Sequence, residues 1–534
     1  MPVNVNRKSP DLSPRPEFLG NRNRFDMCQN HQTTMTMGKL YPVYTKPTLP
    51  GDTWTIQGEF MFRFAPLYLP IMHHVWFNVD YYYVPNRILW PGRVNAWEEW
   101  IRPGNENIGY SAPWIESPYS GLTGSQLLIE YMGFPTALNS ETGSVIVNAL
   151  PISCYLMIWD DFYRNDQITS AQWFPLVSGD NTTEFENAWE DISGSLVIRP
   201  LRRLWSRDNY TSMTPTPQIG GDVLIPLVRP WDDTTNMLQT WRSAVTGDPV
   251  AAGDVQTDSS GYPILNTAGV QIYLDPNMSA ATIRELRYNE MLTLYLERAM
   301  RTGDRYPDYL ESFWESNPFY NIIDRPVRIA GKKGKVVVSE VLSTAETTAA
   351  QSYVGSYSGQ AMMLEASKTI HYTCPEHGWI MAICSVIPQS AYMQGLDPFW
   401  EQWVSSMQYP LEQFALIGDE AVPKKEVAYD YEDTQFGPSN NETFGYRPKY
   451  SVYRHSNDIY SGLMRSTFLS FHLGRIFNSS DIASGLALNT EFITCVPRIT
   501  DVFRVAENED EIYAWIYHEA FVTRRLPKYG IPVK

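Results

Sequence analysis

The residues best suited to chemistry fall in one stretch, "HYTCPEHGWIMAICSVIP" at 371–388. His371, Cys374 and His377 follow at three-residue spacing, Glu376 flanks the second histidine, and Cys384 lies further on. Imidazole and thiolate are zinc ligands, and structural zinc sites usually draw them in pairs two to four residues apart. The other cysteines, Cys28, Cys154 and Cys495, supply no second pair. The metalloprotease orders His-Glu-x-x-His and His-x-x-Glu-His are also missing from the stretch. From Gly378 onward, Trp379, Met381, Ile383, Ser385 and Ile387 alternate with Ile380, Ala382, Cys384 and Val386. That is a strand apolar on both faces. His371, Cys374 and His377 are therefore read as its mouth, entered through a turn at Pro375, with Cys384 a small core residue.

Other candidates carry less. "GKKGKV" at 331–336 lacks the first glycine and the Ser or Thr of a phosphate loop, and reads as a basic turn before a strand. His73 and His74 fall in a turn between strands without an assignable carboxylate partner. The doublets Asp160–Asp161 and Asp232–Asp233 could imitate a glycosidase pair, but neighbours on a strand point to opposite faces. No Gly-x-Ser-x-Gly elbow occurs. No catalytic set, metal or cofactor is expected.

The positioning elements are mainly strands. "PGDTWTIQGEFMFRF" alternates Trp54, Ile56, Phe60, Phe62 and Phe64, and "HVWFNVDYYYVP" alternates Val75, Phe77, Val79, Tyr81 and Tyr83. Further strands are expected at 195–205, 335–343, 378–388 and 512–522, separated by long connections. Such spacing suits a jelly roll, an eight-stranded antiparallel β-sandwich whose corner loops tolerate insertion, better than an up-and-down barrel. Residues 1–50, rich in Pro, Asn and Thr, read as an extended arm, and 51–534 as one domain with insertions at about 91–150 and 228–281. Thr282 and Glu285 open a helix that ends at Gly303, with Ile283, Leu286, Leu294 and Met300 in an apolar stripe.

The 534-residue chain carries a formal charge of −17, which argues against a surface coated in nucleic acid. Its ends differ from the body. Arg7, Lys8, Arg15, Arg22 and Arg24 crowd the first 24 residues, and Arg524, Arg525, Lys528 and Lys534 crowd the tail 521–534. With Tyr529 as a stacking neighbour, these residues other than Lys534 are candidate contacts to a polyanion, which the resemblance described next makes packaged single-stranded DNA. The loop 228–281, with Asp232, Asp233, Asp248, Asp254 and Asp258, is a candidate recognition segment, which the resemblance described next makes one for host attachment. Five scattered cysteines predict free thiols and a reducing cytoplasm. The start "MPVNVNRKSPDLSPRP" reads as no signal peptide, and no apolar run approaches the ~20 residues of a membrane span.

Several phrases then form a series. "PGDT", "YYYVPNR", "FYRNDQ", "RDNYTSMTPTPQIG", "TIRELRYNEMLTLYLER", "TGDRY", "EHGWIMAICSV", "YMQGLDPFW", "LIGDEAVPKKE", "FGYRPKYSVYR", "SGLMRS", "DVFRV" and "LPKYGIP" occur in this order. The chain thereby resembles the major capsid protein of the microviruses, small single-stranded DNA bacteriophages, of the gokushovirus type. It departs at Thr216, where an aromatic is common, and at the final Val533-Lys534. The resemblance implies a jelly-roll subunit without enzymatic activity in an icosahedral shell of identical copies. It implies packaged single-stranded circular DNA, a small basic DNA-binding protein, a scaffolding protein and a host cell-surface receptor as partners. It also implies residence in the virion after assembly in the bacterial cytoplasm. The competing reading is a secreted polysaccharide-active or carbohydrate-binding β-sandwich, or a receptor-binding fibre. It is motivated by the many Trp and Tyr residues, the acidic balance and the 228–281 loop.

Overall fold

The computed structural model describes residues 22–91, 96–101, 111–118, 127–135, 144–189, 198–218, 325–342, 357–401, 405–416, 418–434, 437–478, 481–482, 486–505 and 509–526, with short stretches between 241 and 297. The chain divides into two compact units, 1–215 with 318–534, and 216–317.

In the first unit the sandwich strands are β1 (Asn23–Asp26), β2 (Gln29–Met35), β3 (Tyr41–Thr48), β4 (Thr53–Phe64) and β5 (Val75–Pro85). An excursion carries the pair β6 (Trp114–Pro118) and β7 (Ser144–Asn148). The second unit holds β8 (Trp241–Ser243), β9 (Gln256–Thr257), β10 (Pro263–Ile264) and β11 (Val270–Ile272). The chain returns as β12 (Val327–Lys335), β13 (Val337–Leu342), β14 (Tyr357–Ala366), β15 (Ile370–Thr373) and β16 (Gly378–Pro388). The pair β17 (Asp419–Pro423) and β18 (Thr443–Pro448) follows, and β19 (Ile512–Arg524) closes the unit.

Two antiparallel sheets face each other. One has the order β1-β19-β4-β14-β13, with β15 also on β4 and β2 on β19, and the other has the order β12-β5-β16-β3. Phe60, Phe62 and Phe64 of β4 and Ile516, Ala520 and Val522 of β19 meet Phe77, Val79 and Tyr81 of β5 and Ile380, Ala382 and Cys384 of β16 in one core. The expectation of a mainly β sandwich therefore holds. β4 shows why: its alternate residues are buried while Glu59, Met61 and Arg63 are exposed, the half-covered pattern of an outer sheet.

β5 and β16 are buried on both faces, as their largely apolar sequences favour, and the buried Asp80 of β5 is paired with Arg328 at 2.6 Å. Their second faces, with Tyr82, Val84, Met381 and Ile383, pack in a separate cluster against the helix Leu150–Phe162. Every helix residue from Leu150 to Asp160 except Pro151 is buried, so it lacks the polar stripe that marks an amphipathic helix, and sequence periodicity missed it. The Tyr155 hydroxyl fixes it by donating to Leu40 O at 2.9 Å and accepting from Leu201 N at 2.9 Å.

Several expectations are corrected. Residues 22–50 are no free arm: β1, β2 and β3 join the two sheets, and β3 has Tyr41, Val43 and Tyr44 in the core. Residues 1–21 lie outside the described residues. No strand forms over 198–205, where Pro200 removes a ladder donor and two isolated bridges remain, Lys39 with Arg202 and Leu204 with Thr494. "GKKGKV" is no turn: 331–335 lie within β12. There Gly334 sits under the Phe77 ring, where an added Cβ would approach within 2.0 Å. Asp160 and Asp161 lie on the helix and not on a strand. The 228–281 loop, read as without strand period, contains two short antiparallel pairs, β8 with β11 and β9 with β10. Of the expected 282–303 helix, Arg287, 289–294 and Glu297 are helical, and Leu294 is half exposed rather than on a buried stripe. The other residues of that span lie outside the described ones.

The turn between β2 and β3 is pinned to the start of β19. The fully buried Glu511 carboxylate accepts from Met37 N, its carbonyl accepts from Ala65 N at 2.8 Å, and Asp510 accepts from the Thr34 and Thr36 hydroxyls. Burial pushes the Glu511 carboxyl up to about 7, against the Met37 N–H bond, which lowers it. A carboxyl that holds its proton more tightly folded than unfolded loses stability as pH rises between the two values, from about 4.5 to about 7. Thermal midpoints of Glu511→Gln should therefore fall less than wild type between pH 5 and about 7.5. Parallel pH profiles would contradict this.

Candidate nucleic-acid interface at the paired termini

The opening histidines and cysteine go separate ways. His371 is exposed on β15, its Nδ1 3.2 Å from the Thr55 hydroxyl on the neighbouring strand. Cys374 is fully buried in the sandwich core, which pushes its thiol up to about 12. The His377 ring packs edge-on to Trp97 at 5.7 Å. Glu376 is held by Arg87 through two bonds of 3.1 Å, and its carbonyl accepts from the Tyr83 hydroxyl at 2.9 Å. The stretch is thus a corner clamped onto β5 and the segment after it, and the fully buried Cys384 is a core residue as expected. No cluster of three or more potential metal ligands occurs among the described residues.

Other candidates also have structural duties. His73 Nε2 lies 2.7 Å from Gln389 O and its Nδ1 3.3 Å from the Tyr460 hydroxyl. Asp160 accepts from Gln172 N at 3.0 Å and Trp173 N at 2.7 Å, and pairs with Arg164 at 3.3 Å. Asp232, Asp233, Asp248, Asp254 and Asp258 lie outside the described residues.

The basic termini come together by backbone pairing. β1 runs antiparallel to the end of β19, placing Asn23 opposite Arg524 and Arg24 opposite Thr523. Asn23 Nδ2 donates to Leu526 O at 2.7 Å, continuing the join past the ladder. Arg22, Arg24 and Arg525 are exposed around this seam, and the Arg24 guanidinium lies 3.8 Å from the centre of the Phe521 ring. Arg524 is committed elsewhere: it pairs at 2.7 Å with Asp52, and both side chains are largely buried. Arg7, Lys8, Arg15, Lys528 and Tyr529 lie outside the described residues.

The same sheet face carries residues that sequence reading missed. On β19 the even-numbered residues point into the core, leaving Tyr513, Trp515, Tyr517 and Phe521 on the outward row. The Trp515 and Tyr517 rings are nearly parallel, at 11°, with centres 6.3 Å apart. Arg63 stands opposite Tyr513, and Gln32 and Asn30 of β2 stand opposite Trp515 and Tyr517. Asp26, Glu59 and Glu519 lie among them, so the face is mixed in charge. The alternation of "IYAWIY" carried the signal, but which parity faced outward depended on the facing sheet.

Two outcomes follow. Chelation should leave the thermal midpoint unchanged, and Cys374→Ser should cost about 1 kcal/mol; stoichiometric zinc lost in that variant would contradict both. Arg524→Glu should destabilise by about 3–5 kcal/mol in denaturant unfolding, because it strands the buried Asp52 carboxylate, whereas Arg525→Glu should stay within about 0.5 kcal/mol of wild type. Equal costs at the two positions would refute this division.

The family model for capsid protein (F protein) matches residues 17–534. The chain is 26% identical to capsid protein VP1 of Chlamydia phage 1, covering 96% of this chain and 95% of that protein. It is 24% identical to capsid protein VP1 of Bdellovibrio phage phiMH2K, covering 91% and 92%. Against capsid protein VP1 of Spiroplasma virus 4 it is 22% identical over 84% of each. These matches set aside the polysaccharide-active alternative. The chain belongs to the phage capsid protein (F protein) family and is a structural subunit of an oligomeric capsid shell, a virion component and not an enzyme.

Proposed function

We propose that this subunit, in a small icosahedral shell of identical copies, holds packaged single-stranded circular DNA at the seam of its two termini. The antiparallel pairing of β1 with β19 carries the reading, because it gathers Arg22, Arg24 and Arg525 from the two ends of the chain. The segments beyond the seam add Arg7, Lys8, Arg15, Lys528 and Lys534. Such cations attract phosphates whatever the base sequence, and the outward Tyr513, Trp515, Tyr517 and Phe521 offer rings on which unpaired bases stack. A basic genome-binding face on a chain of formal charge −17 leaves the remainder acidic. The five free cysteines suit assembly in the host cytoplasm. A scaffolding protein, a small basic DNA-binding protein and a host receptor complete the expected partners. Arg22→Glu combined with Arg525→Glu should lower DNA per particle while shells still form, read by absorbance ratio and electron microscopy. Full DNA content in such particles would refute the seam.

The insertion supports a second role, host attachment. Residues 216–317 form a compact unit of their own, so this segment can vary without disturbing the sandwich. The acids Asp232, Asp233, Asp248, Asp254 and Asp258 lie in it. Deleting 240–265 should leave particle yield intact and reduce adsorption to cells. Failure to assemble would instead make the insertion a clamp between subunits.

A further inference from the structure

A cavity of about 630 Å³ lies where the start of β5, β12, the 206–210 turn and the 451–458 segment meet. Three exposed cations, Arg207, Lys333 and Arg454, line it, and none forms an ion pair among the described residues. They come from three distant parts of the sequence, so the fold assembles them. Two acids share the wall. Asp208 is saturated: Oδ1 accepts from Tyr210 N at 2.9 Å and Thr211 N at 2.7 Å, and Oδ2 accepts from the Tyr392 hydroxyl at 2.9 Å. Asp458 is exposed. Burial lowers the His455 pKa, opposed by the contact of its Nδ1 with Ser451 O at 2.7 Å.

Unpaired cations gathered in a concavity of an acidic protein are an anion site in waiting. The wall also supplies an aromatic surface. The Trp76 ring lies beside the cations, with the Lys333 ammonium 4.5 Å from its centre. The volume falls in the range of small-ligand sites, roughly 300–1,000 Å³, more than a bare phosphate needs.

We propose that this cavity binds one nucleotide unit of single-stranded DNA, its phosphate held by Arg207, Lys333 and Arg454 and its base set against Trp76. The assignment rests on the reading of this chain as a genome-enclosing subunit, but it names a site separate from the seam of the termini. The phosphate draws on charge-assisted bonds that a fork-shaped guanidinium makes well. No base-specific partner is required, as suits a shell that accepts any sequence.

The test is fluorescence anisotropy of a labelled oligothymidylate on the purified full-length protein over a salt series. Arg207→Glu or Arg454→Glu should weaken binding roughly tenfold. Each should also make the slope of log K against log salt shallower by about 0.7, one phosphate contact. Arg207→Lys should retain most of the affinity. Trp76→Leu should weaken competition by thymidine monophosphate while leaving that by inorganic phosphate unchanged. Unaltered affinity and slope in both charge reversals would overturn the site. If Arg525→Glu weakens binding in the same series, that result overturns the cavity alone; if Arg525→Glu is also silent, the seam falls with it. Inorganic phosphate competing as well as thymidine monophosphate would overturn the nucleotide assignment. Failure of shell formation in the reversals, with unchanged oligothymidylate binding, would make the cavity a subunit contact and overturn the proposal.

Discussion

The structure depends on the ladder between β4 and β19, in which Ile512 faces Phe64 and the register runs without a break to Thr523 opposite Thr53. A strand from the end of the sequence is thereby set between strands from its beginning, with β1 and β2 on its other edge. β1 and β2 join the larger sheet only through this pairing. Closing so long a loop costs chain entropy that only the assembled apolar faces offset, so the sandwich forms as a whole. The Asp52–Arg524 pair locks one end of the ladder and the buried Glu511 the other.

The second constraint is the double burial of β5 and β16. Their eleven-residue register, Gly378 opposite Pro85 to Pro388 opposite Val75, makes them the wall between two cores of the first unit. One face completes the sandwich and the other takes the helix Leu150–Phe162. Ile383 and Cys384 show the division: adjacent in sequence, they sit in different cores. The corner at 374–377 follows from the need to bring β16 onto β5, and the place of His377 is a consequence of that geometry. His518 makes a similar point. Fully buried against Tyr44, Phe60 and Tyr81, it is held near pKa 3 by burial and serves as a neutral aromatic.

Charge is distributed by the same architecture. Sequence ends that are 500 residues apart meet because β1 and β19 pair, so two modest basic clusters become one. Ion pairing then sorts them, since Arg524 is consumed by Asp52 while Arg22, Arg24 and Arg525 remain exposed. The proposed genome contact would use such sorting, one surface attracting a polyanion while the remainder does not.

Much was legible in the sequence, for identifiable reasons. The alternation in β4 and the double-sided runs of β5 and β16 are local patterns, and local sterics with burial suffice to fix a strand. The ordered series of family phrases identified the capsid lineage without any contact being known. What required the tertiary structure were the facts that depend on partners. Residues 23–48 are too polar in pattern to announce strands, and they become strands because β19 and β16 offer edges. The helix Leu150–Phe162 was hidden because burial on all sides erases the amphipathic signal. The outward parity of β19 was set by the facing sheet, and the cations at Arg207, Lys333 and Arg454 could not be grouped from spacing, since long stretches of chain separate them. Sequence determines which segments can be strands; the packing of one strand against another decides which side chains meet, because that choice is made by non-local burial.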